Sequence, residues 1–420
     1  MYMKILVLFL IFSIPAFVFA QADTVQKIIP EKKNTIEQRQ KPYVILISAD
    51  GFRYNYAEKY NATTLLQLSS QGIRAASMIP SFPSLTFPNH YAIITGLYPS
   101  HHGLVDNDFY DAKRKAFYSL KKKDAVTDGS WYGGTPLWVL AEQQHMLSAS
   151  FYWVGSEADI KGIYPTYYYN YSEKIPIERR IQILVDWLNL PEERRPHFIT
   201  FYFPEVDHAG HIFGADASQT IDAIHHLDSS IQKLTDAVSA TGLPVSYIFV
   251  SDHGMSTIDT INIAKIPGDI DTSKFIVSGS NEIIHLYAKN KSDIMPAYLK
   301  LKKEEKLFTV YLTSEMPAHF HYNATDDYLK HIGDILLIPT WPHVFNISRR
   351  KLNPGAHGFD PYAVKDMQAT FFAWGPAFKE HIKIESFENI SVYPIVAKIL
   401  GLPITGKIDG TDKIANEILK

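Results

Sequence analysis

Cysteine is absent from all 420 residues. That excludes disulfides, thiolate catalysis, Cys-ligated zinc or iron–sulfur sites, and a lipid anchor on an N-terminal Cys. Excess charge is also missing: 41 basic and 44 acidic residues leave a net charge of −3, which gives no electrostatic footprint for duplex nucleic acid. Beyond the first twenty residues no run is long and apolar enough to span a bilayer. Internal repeats and low-complexity tracts are lacking too. With 46% hydrophobic and 20% charged residues, the chain is not a disordered one.

What is present begins with residues 1–20, MYMKILVLFLIFSIPAFVFA. Lys4, an apolar run and a small-residue ending read as a secretory signal peptide cleaved near Ala20. Export without cysteine fits a bacterial periplasm or secretion better than an oxidising eukaryotic lumen. Residues 21–40 are polar and are expected to form a flexible leader.

From Tyr43 onward, strand and helix signals alternate. Tyr43 to Ala49 (YVILISA) is a continuous apolar run, as in a strand covered on both faces. Further strands are expected over Ser148 to Val154, His197 to Phe203, Val245 to Val250 and Ala369 to Trp374. Helices are expected over Ala62 to Ser70, Pro88 to Thr95, Thr135 to Gln144, Ile177 to Leu190, Ser218 to Ser239 and Ile390 to Leu400. This order predicts an α/β sandwich around a mainly parallel sheet. The rhythm weakens over 256–350, which reads as an inserted subdomain. The catalytic core is then split into 41–255 and 351–420.

The chemistry lies at strand ends. YVILISA runs into Asp50-Gly51, and His197 to Phe203 runs into PEVDHAGH, with Asp207, His208 and His211. Val245 to Val250 runs into Ser251-Asp252-His253-Gly254, and a glycine-rich loop offers His357. Open α/β sheets bind ligands at the carboxyl ends of their strands. Asp and His without Cys suit zinc or a similar divalent ion. The donors are too many for one catalytic zinc and about right for two, which as a pair ~3.5–4 Å apart clamp an in-line displacement.

Six motifs, in order, resemble the nucleotide pyrophosphatase/phosphodiesterase family of the alkaline phosphatase superfamily. They are ISADGFR (47–53), PSFPSLTFPNHYAIITGLYPSHHGLVDN (80–107), WVGSEA (153–158), YFPEVDHAGHIFG (202–214), VSDHGM (250–255) and PGAHGF (354–359). The resemblance covers about Tyr43 to Leu402. It implies an alkaline-phosphatase-like sandwich with a central sheet flanked by helices, and two Zn²⁺ per chain. Asp207, His211 and His357 would hold one ion; Asp50, Asp252 and His253 would hold the other. Thr86 would be the nucleophile, also touching the second ion, and Asn107 would hold a phosphate oxygen. Phe87 and Tyr202 would contact the leaving group or base, joined by one tyrosine of 167–169. The substrate would be a nucleotide or another small phosphodiester, cleaved to a nucleoside monophosphate through a covalent phospho-threonine.

Charge bears on substrate. Two dications against three aspartates leave one positive unit, which a deprotonated Thr86 cancels. The motif around Thr86 contains no arginine for a second phosphate charge, so a diester or pyrophosphate-linked nucleotide fits better than a monoester. A phospholipid-headgroup or phosphonate hydrolase on the same fold is the alternative enzyme. An inactive exported ligand-binding protein is the alternative of another class, although all seven metal and nucleophile positions are present. A sulfatase is excluded, since it needs a Cys or Ser where this chain has Thr86.

Overall fold

The structure is a computed structural model that describes residues 24–268 and 270–420. The expected signal peptide lies outside the described residues. Nine strands form the central sheet: β1 (Lys27–Ile28), β2 (Tyr43–Ala49), β3 (Ile73–Ala75), β4 (Ser148–Phe151), β5 (Tyr167–Tyr168), β6 (Phe198–Phe203), β7 (Val245–Val250), β8 (Phe371–Trp374) and β9 (Ile382–Ile384). Their order is β1-β5-β4-β6-β2-β7-β8-β3-β9. The run β5-β4-β6-β2-β7 is parallel throughout, as is β3-β9, while β1, and β8 on both its sides, pair antiparallel.

The flanking helices are α1 (Thr63–Gln71), α2 (Thr86–Thr95), α3 (Leu137–Gln143), α4 (Ile177–Leu188), α5 (Glu205–Phe213), α6 (Ser218–Ser239) and α7 (Val392–Leu400). Side chains alternate along a strand, so β2 serves two layers at once. Val44 and Leu46 pack with residues of α2, α3 and α7. Tyr43, Ile45, Ile47 and Ala49 pack with residues of α1, α4 and α6. Every residue of β2 is buried, and each large apolar side chain contributes about 1.5–3 kcal/mol by leaving water. That double burial is why YVILISA carries no polar alternation. No helix among the described residues is long and apolar enough to cross a membrane.

Residues 24–40 fall within the segment read above as a leader, and they contact the core. β1 pairs with β5, through Lys27 opposite Tyr168 and Ile28 opposite Tyr167. Asn34 is 2% exposed. Its Nδ2 donates to Glu192 O (2.8 Å) and Arg195 O (2.7 Å), and its Oδ1 accepts the Leu147 N–H (2.7 Å). Most of the segment faces solvent, while Asn34 and Gln38 are buried and make long-range backbone contacts. Asn34→Ala would leave the buried Leu147 N–H without its partner and free two part-buried carbonyls. The expected cost is about 1–3 kcal/mol, read as a lower urea midpoint at constant slope. An unchanged midpoint would mean that this segment contributes nothing to stability.

The region 256–350 holds a separate antiparallel sheet, in the order Phe275–Gly279, Ile284–Ala288, Ile335–Pro339, Phe308–Leu312. It has its own apolar cluster, including Phe275, Leu286, Val310, Leu337 and Phe345. Ser256–Thr257 pairs with Gly355–Ala356, so the chain enters and leaves this region side by side.

Candidate active site

Three neighbouring parallel strands deliver the acidic residues. β2 ends at Ala49 and hands on Asp50. β7 ends at Val250 and hands on Asp252 and His253. β6 ends at Phe203, and Pro204 turns the chain into α5. In α5, Asp207 and His211 are four residues apart and therefore share a face. Gly51, at φ +66°, makes the approach possible, since a Cβ there would lie 2.9 Å from Asp207 Cα. His357 arrives from the segment after Gly355, where a Cβ would strike Gly210 O of α5 at 2.0 Å.

The donors form two clusters. In the first, His211 Nε2 lies 3.5 Å and His357 Nε2 3.6 Å from Asp207 Oδ1, and the two Nε2 atoms are 3.1 Å apart. In the second, His253 Nε2 lies 3.5 Å from Asp50 Oδ1 and 3.0 Å from Asp252 Oδ2. Asp207, His253 and His357 also converge, so the clusters adjoin.

Hydrogen bonding makes these atoms acceptors without donors. A carbonyl can only accept, so His211 Nδ1 donates to Gly355 O, His357 Nδ1 to Ser84 O and His253 Nδ1 to Gly254 O. Each imidazole thereby aims the lone pair of its Nε2 inward. Asp50 Oδ1, Asp207 Oδ1 and Asp252 Oδ2 are buried and accept no well-aligned hydrogen bond among the described residues. Facing lone pairs at these distances repel unless a cation lies between them. Burial, then the charges of Asp252 and Asp207, push the Asp50 carboxyl well above its ordinary pKa. Burial also works against the Asp252 carboxylate, but positive charge on His253 and His90 outweighs it and holds that group well below the usual range; Asp252 in turn overcomes burial and raises His253, so a proton on Nε2 takes the place there that a cation would fill. Burial, followed by His253 and His211, pushes His357 well below the ordinary imidazole value. Such a donor set fits divalent metal.

Thr86 opens α2. The helix starts two residues before the expected Pro88, because extended Leu85 (φ −110°, ψ 155°) is the cap and its carbonyl accepts the Asn89 N–H. Pro88 then falls in the first turn, where a missing N–H costs nothing. The Thr86 hydroxyl does not cap; its Oγ1 lies 3.2 Å from His253 Nε2, at the positive end of the helix. Asn107 sits beside it, accepting the Phe87 N–H on Oδ1 at 3.0 Å.

A cavity of about 300 Å³ opens from Thr86, with Phe87, Trp153, Tyr171, Tyr202 and Glu157 among its walls. Tyr202 lines it, and its hydroxyl donates to Asp50 Oδ2 at 2.6 Å. This follows from register, since Tyr202 lies opposite Ser48, two residues before Asp50. Of the tyrosines 167–169, only Tyr169 reaches the cavity wall. Tyr168 stacks on Tyr164, at 5.2 Å between ring centroids. Tyr171, unforeseen in the sequence, meets Tyr202 at 6.0 Å between ring centroids. His208, next to Asp207, is exposed and belongs to neither cluster.

His90 was also missed. It is fully buried on α2, with Nδ1 at 3.0 Å from Thr86 O and 3.2 Å from Asp252 Oδ2, and Nε2 at 2.8 Å from Ser48 Oγ. It ties an aspartate of the second cluster to the backbone of Thr86. Only its place four residues after Thr86, one helical turn on, could have signalled this.

A sandwich that gathers two Asp/His clusters and a helix-opening threonine at the carboxyl edge of its sheet is of the alkaline-phosphatase-like class. The family model for type I phosphodiesterase/nucleotide pyrophosphatase matches residues 44–360, and the chain belongs to that family. It is 35% identical over 394 residues to ectonucleotide pyrophosphatase/phosphodiesterase family member 1 of Mus musculus, covering 91% of this chain and 43% of the mouse protein. It is 33% identical over 391 residues to the venom phosphodiesterase of Macrovipera lebetinus, covering 90% of this chain and 45% of that protein. The chain thus spans less than half the length of these relatives. The solved structure of human ectonucleotide pyrophosphatase/phosphodiesterase 5 superposes with a TM-score of 0.83 at 25% identity, over 90% of this chain and 100% of that one.

Proposed function

We propose that this chain is an exported two-zinc phosphodiesterase/nucleotide pyrophosphatase that releases a nucleoside monophosphate through a covalent phospho-threonine. The observation that carries the reading is the convergence of Asp50, Asp252 and His253 on one side, and Asp207, His211 and His357 on the other, around Thr86 Oγ1. Zinc, when bound, would supply positive charge that lowers the proton affinity of a hydroxyl and screens a phosphoryl group.

The chain's own groups supply the rest. Thr86 Oγ gives up its proton and forms the new bond to phosphorus as the bond to the leaving-group oxygen breaks; water then adds to phosphorus, the Oγ–phosphorus bond breaks, and Oγ regains a proton as the nucleoside monophosphate leaves. Asn107 has its Oδ1 taken by the Phe87 N–H, which leaves its NH₂ to donate to a phosphoryl oxygen. The N-terminus of α2 favours negative charge at the same point. Phe87, Tyr171 and Tyr202 offer faces for a nucleobase, worth ~1–3 kcal/mol per stacked base. A cavity of about 300 Å³ with aromatic walls suits a nucleoside rather than an acyl chain, which favours nucleotides over phospholipid headgroups. The ectoenzyme and venom relatives support export.

The test compares the zinc-loaded protein on a nitrophenyl nucleoside diester and on the corresponding monoester. An uncompensated unit charge ~4 Å away costs about 4 kcal/mol at an effective dielectric of ~20. The diester is therefore expected to lead in kcat/KM by at least about 100-fold. Faster turnover of the monoester would defeat the charge argument, and a preference for lysophospholipid would move the assignment to the headgroup class.

A further inference from the structure

Asn107 stands on a loop of the catalytic core, yet the region 278–331 laces that loop down. The Tyr322 hydroxyl donates to Val105 O at 2.8 Å, and His331 Nδ1 donates to Gly103 O at 2.7 Å. The Tyr110 N–H donates to the Tyr287 hydroxyl at 3.2 Å, and Ser278 Oγ donates to Asp108 O at 3.1 Å. At the centre of this seam is a pair without solvent access, Asp106 and His285, both 0% exposed. His285 lies on the strand Ile284–Ala288 of the second sheet. Its Nδ1 donates to Ile332 O at 2.7 Å, and its Nε2 meets Asp106 Oδ2 at 3.0 Å. The other oxygen of Asp106 accepts the Asp108 N–H at 3.0 Å.

Asp106 is thus held on both oxygens, across the residue that matters. Next to it, Asn107 accepts the Phe87 N–H on its side chain and the Leu120 N–H on its carbonyl, each at 3.0 Å. Two apolar side chains of similar volume would fill the seam without the desolvation that a buried His–Asp pair costs. What the polar pair adds is a single orientation.

We infer that His285 is a positioning residue for Asn107: the second sheet uses it to fix Asp106 and so sets the Asn107 carboxamide beside Thr86. The inference rests on Asn107 gripping the phosphoryl group, as in the function proposed above, and it assigns a role to the region 256–350.

A double-variant cycle on the zinc-loaded protein tests it with a nitrophenyl nucleoside diester. Asn107→Ala removes the donor and should lower kcat about 100-fold. His285→Phe misplaces the donor and should lower kcat about tenfold, with zinc content unchanged. His285→Gln, whose amide can still donate to Asp106, should recover most of that loss. The double variant Asn107→Ala/His285→Phe should be no slower than Asn107→Ala alone. Amide exchange gives a readout free of turnover: in His285→Phe the Asp108 and Phe87 amides should exchange faster, with those of β2 unchanged. If the lone buried carboxylate prevents folding, Asp106→Leu with His285→Phe removes both polar partners and should fold while keeping the tenfold loss. Losses that multiply in the double variant, or a wild-type kcat in the apolar pair, would overturn the inference alone. A wild-type rate for Asn107→Ala would overturn both it and the reading of Asn107.

Discussion

Replacing Thr86 by Ala in the zinc-loaded protein is expected to lower kcat by a factor on the order of 10⁴–10⁶, the scale seen when a catalytic nucleophile is removed. The structure explains why so small a change should act on chemistry and not on folding. Thr86 is the first residue of α2, half-buried, and Leu85 before it forms the cap. Alanine is a better helix former than threonine, so the helix loses nothing at this position. The Oγ1 neighbour given up is His253 Nε2 at 3.2 Å, an atom of the second Asp/His cluster. Zinc content and thermal midpoint should therefore stay close to wild type. Thr86→Ser keeps the hydroxyl and should retain most of the turnover. Quenching wild-type protein during turnover and mapping peptides by mass spectrometry should place the nucleotidyl adduct on the peptide that contains Thr86. Full turnover by the zinc-loaded alanine variant, or an adduct on another residue, would reject the nucleophile.

The legible parts of this molecule are those whose signal is local. β2, α6 and β7 run over the residues expected, because a continuous apolar run or an amphipathic stretch of 22 residues needs no distant partner to be recognised. The residues of the two Asp/His clusters were legible because strand ends, Asp and His coincide in short motifs. α5 was not read as a helix. Its nine residues include Gly210 and two histidines, a weak propensity signal, and packing against α6 decides the outcome. β3 and β9 are three residues each, too short to show a period. The roles of Asn34, His90 and His285 depend on partners far away in the chain, such as Glu192 for Asn34 or Asp252 for His90. Tyr171 escaped for a related reason: it lies beyond the end of β5, where the strand period no longer says which way an aromatic turns.

Removing the metal is expected to have the second large effect, and on two observables at once. Asp50, Asp207 and Asp252 bring carboxylate oxygens together in a buried space, each with one oxygen lacking a well-aligned hydrogen bond. Without positive charge there, burial first, and then repulsion from Asp252 and Asp207, push the Asp50 carboxyl well above its ordinary pKa. A strong chelator should abolish diester turnover and lower the thermal midpoint by several degrees. By mass action, zinc at a thousandfold above its Kd stabilises the native state by about 4 kcal/mol. Zinc should restore both observables. Magnesium should not, because it prefers oxygen ligands in octahedral geometry, whereas three of the six donors here are imidazole nitrogens. Acid should mimic the chelator, since protons compete for the same carboxylate oxygens and Nε2 lone pairs. Elemental analysis of the protein at neutral pH should return two zinc ions per chain, falling as the pH is lowered, with turnover falling in step. A chelated protein that kept its midpoint and its activity would show that these six side chains hold no metal. The close approach of His211 to His357, and of His253 to Asp252, would then need another source of positive charge.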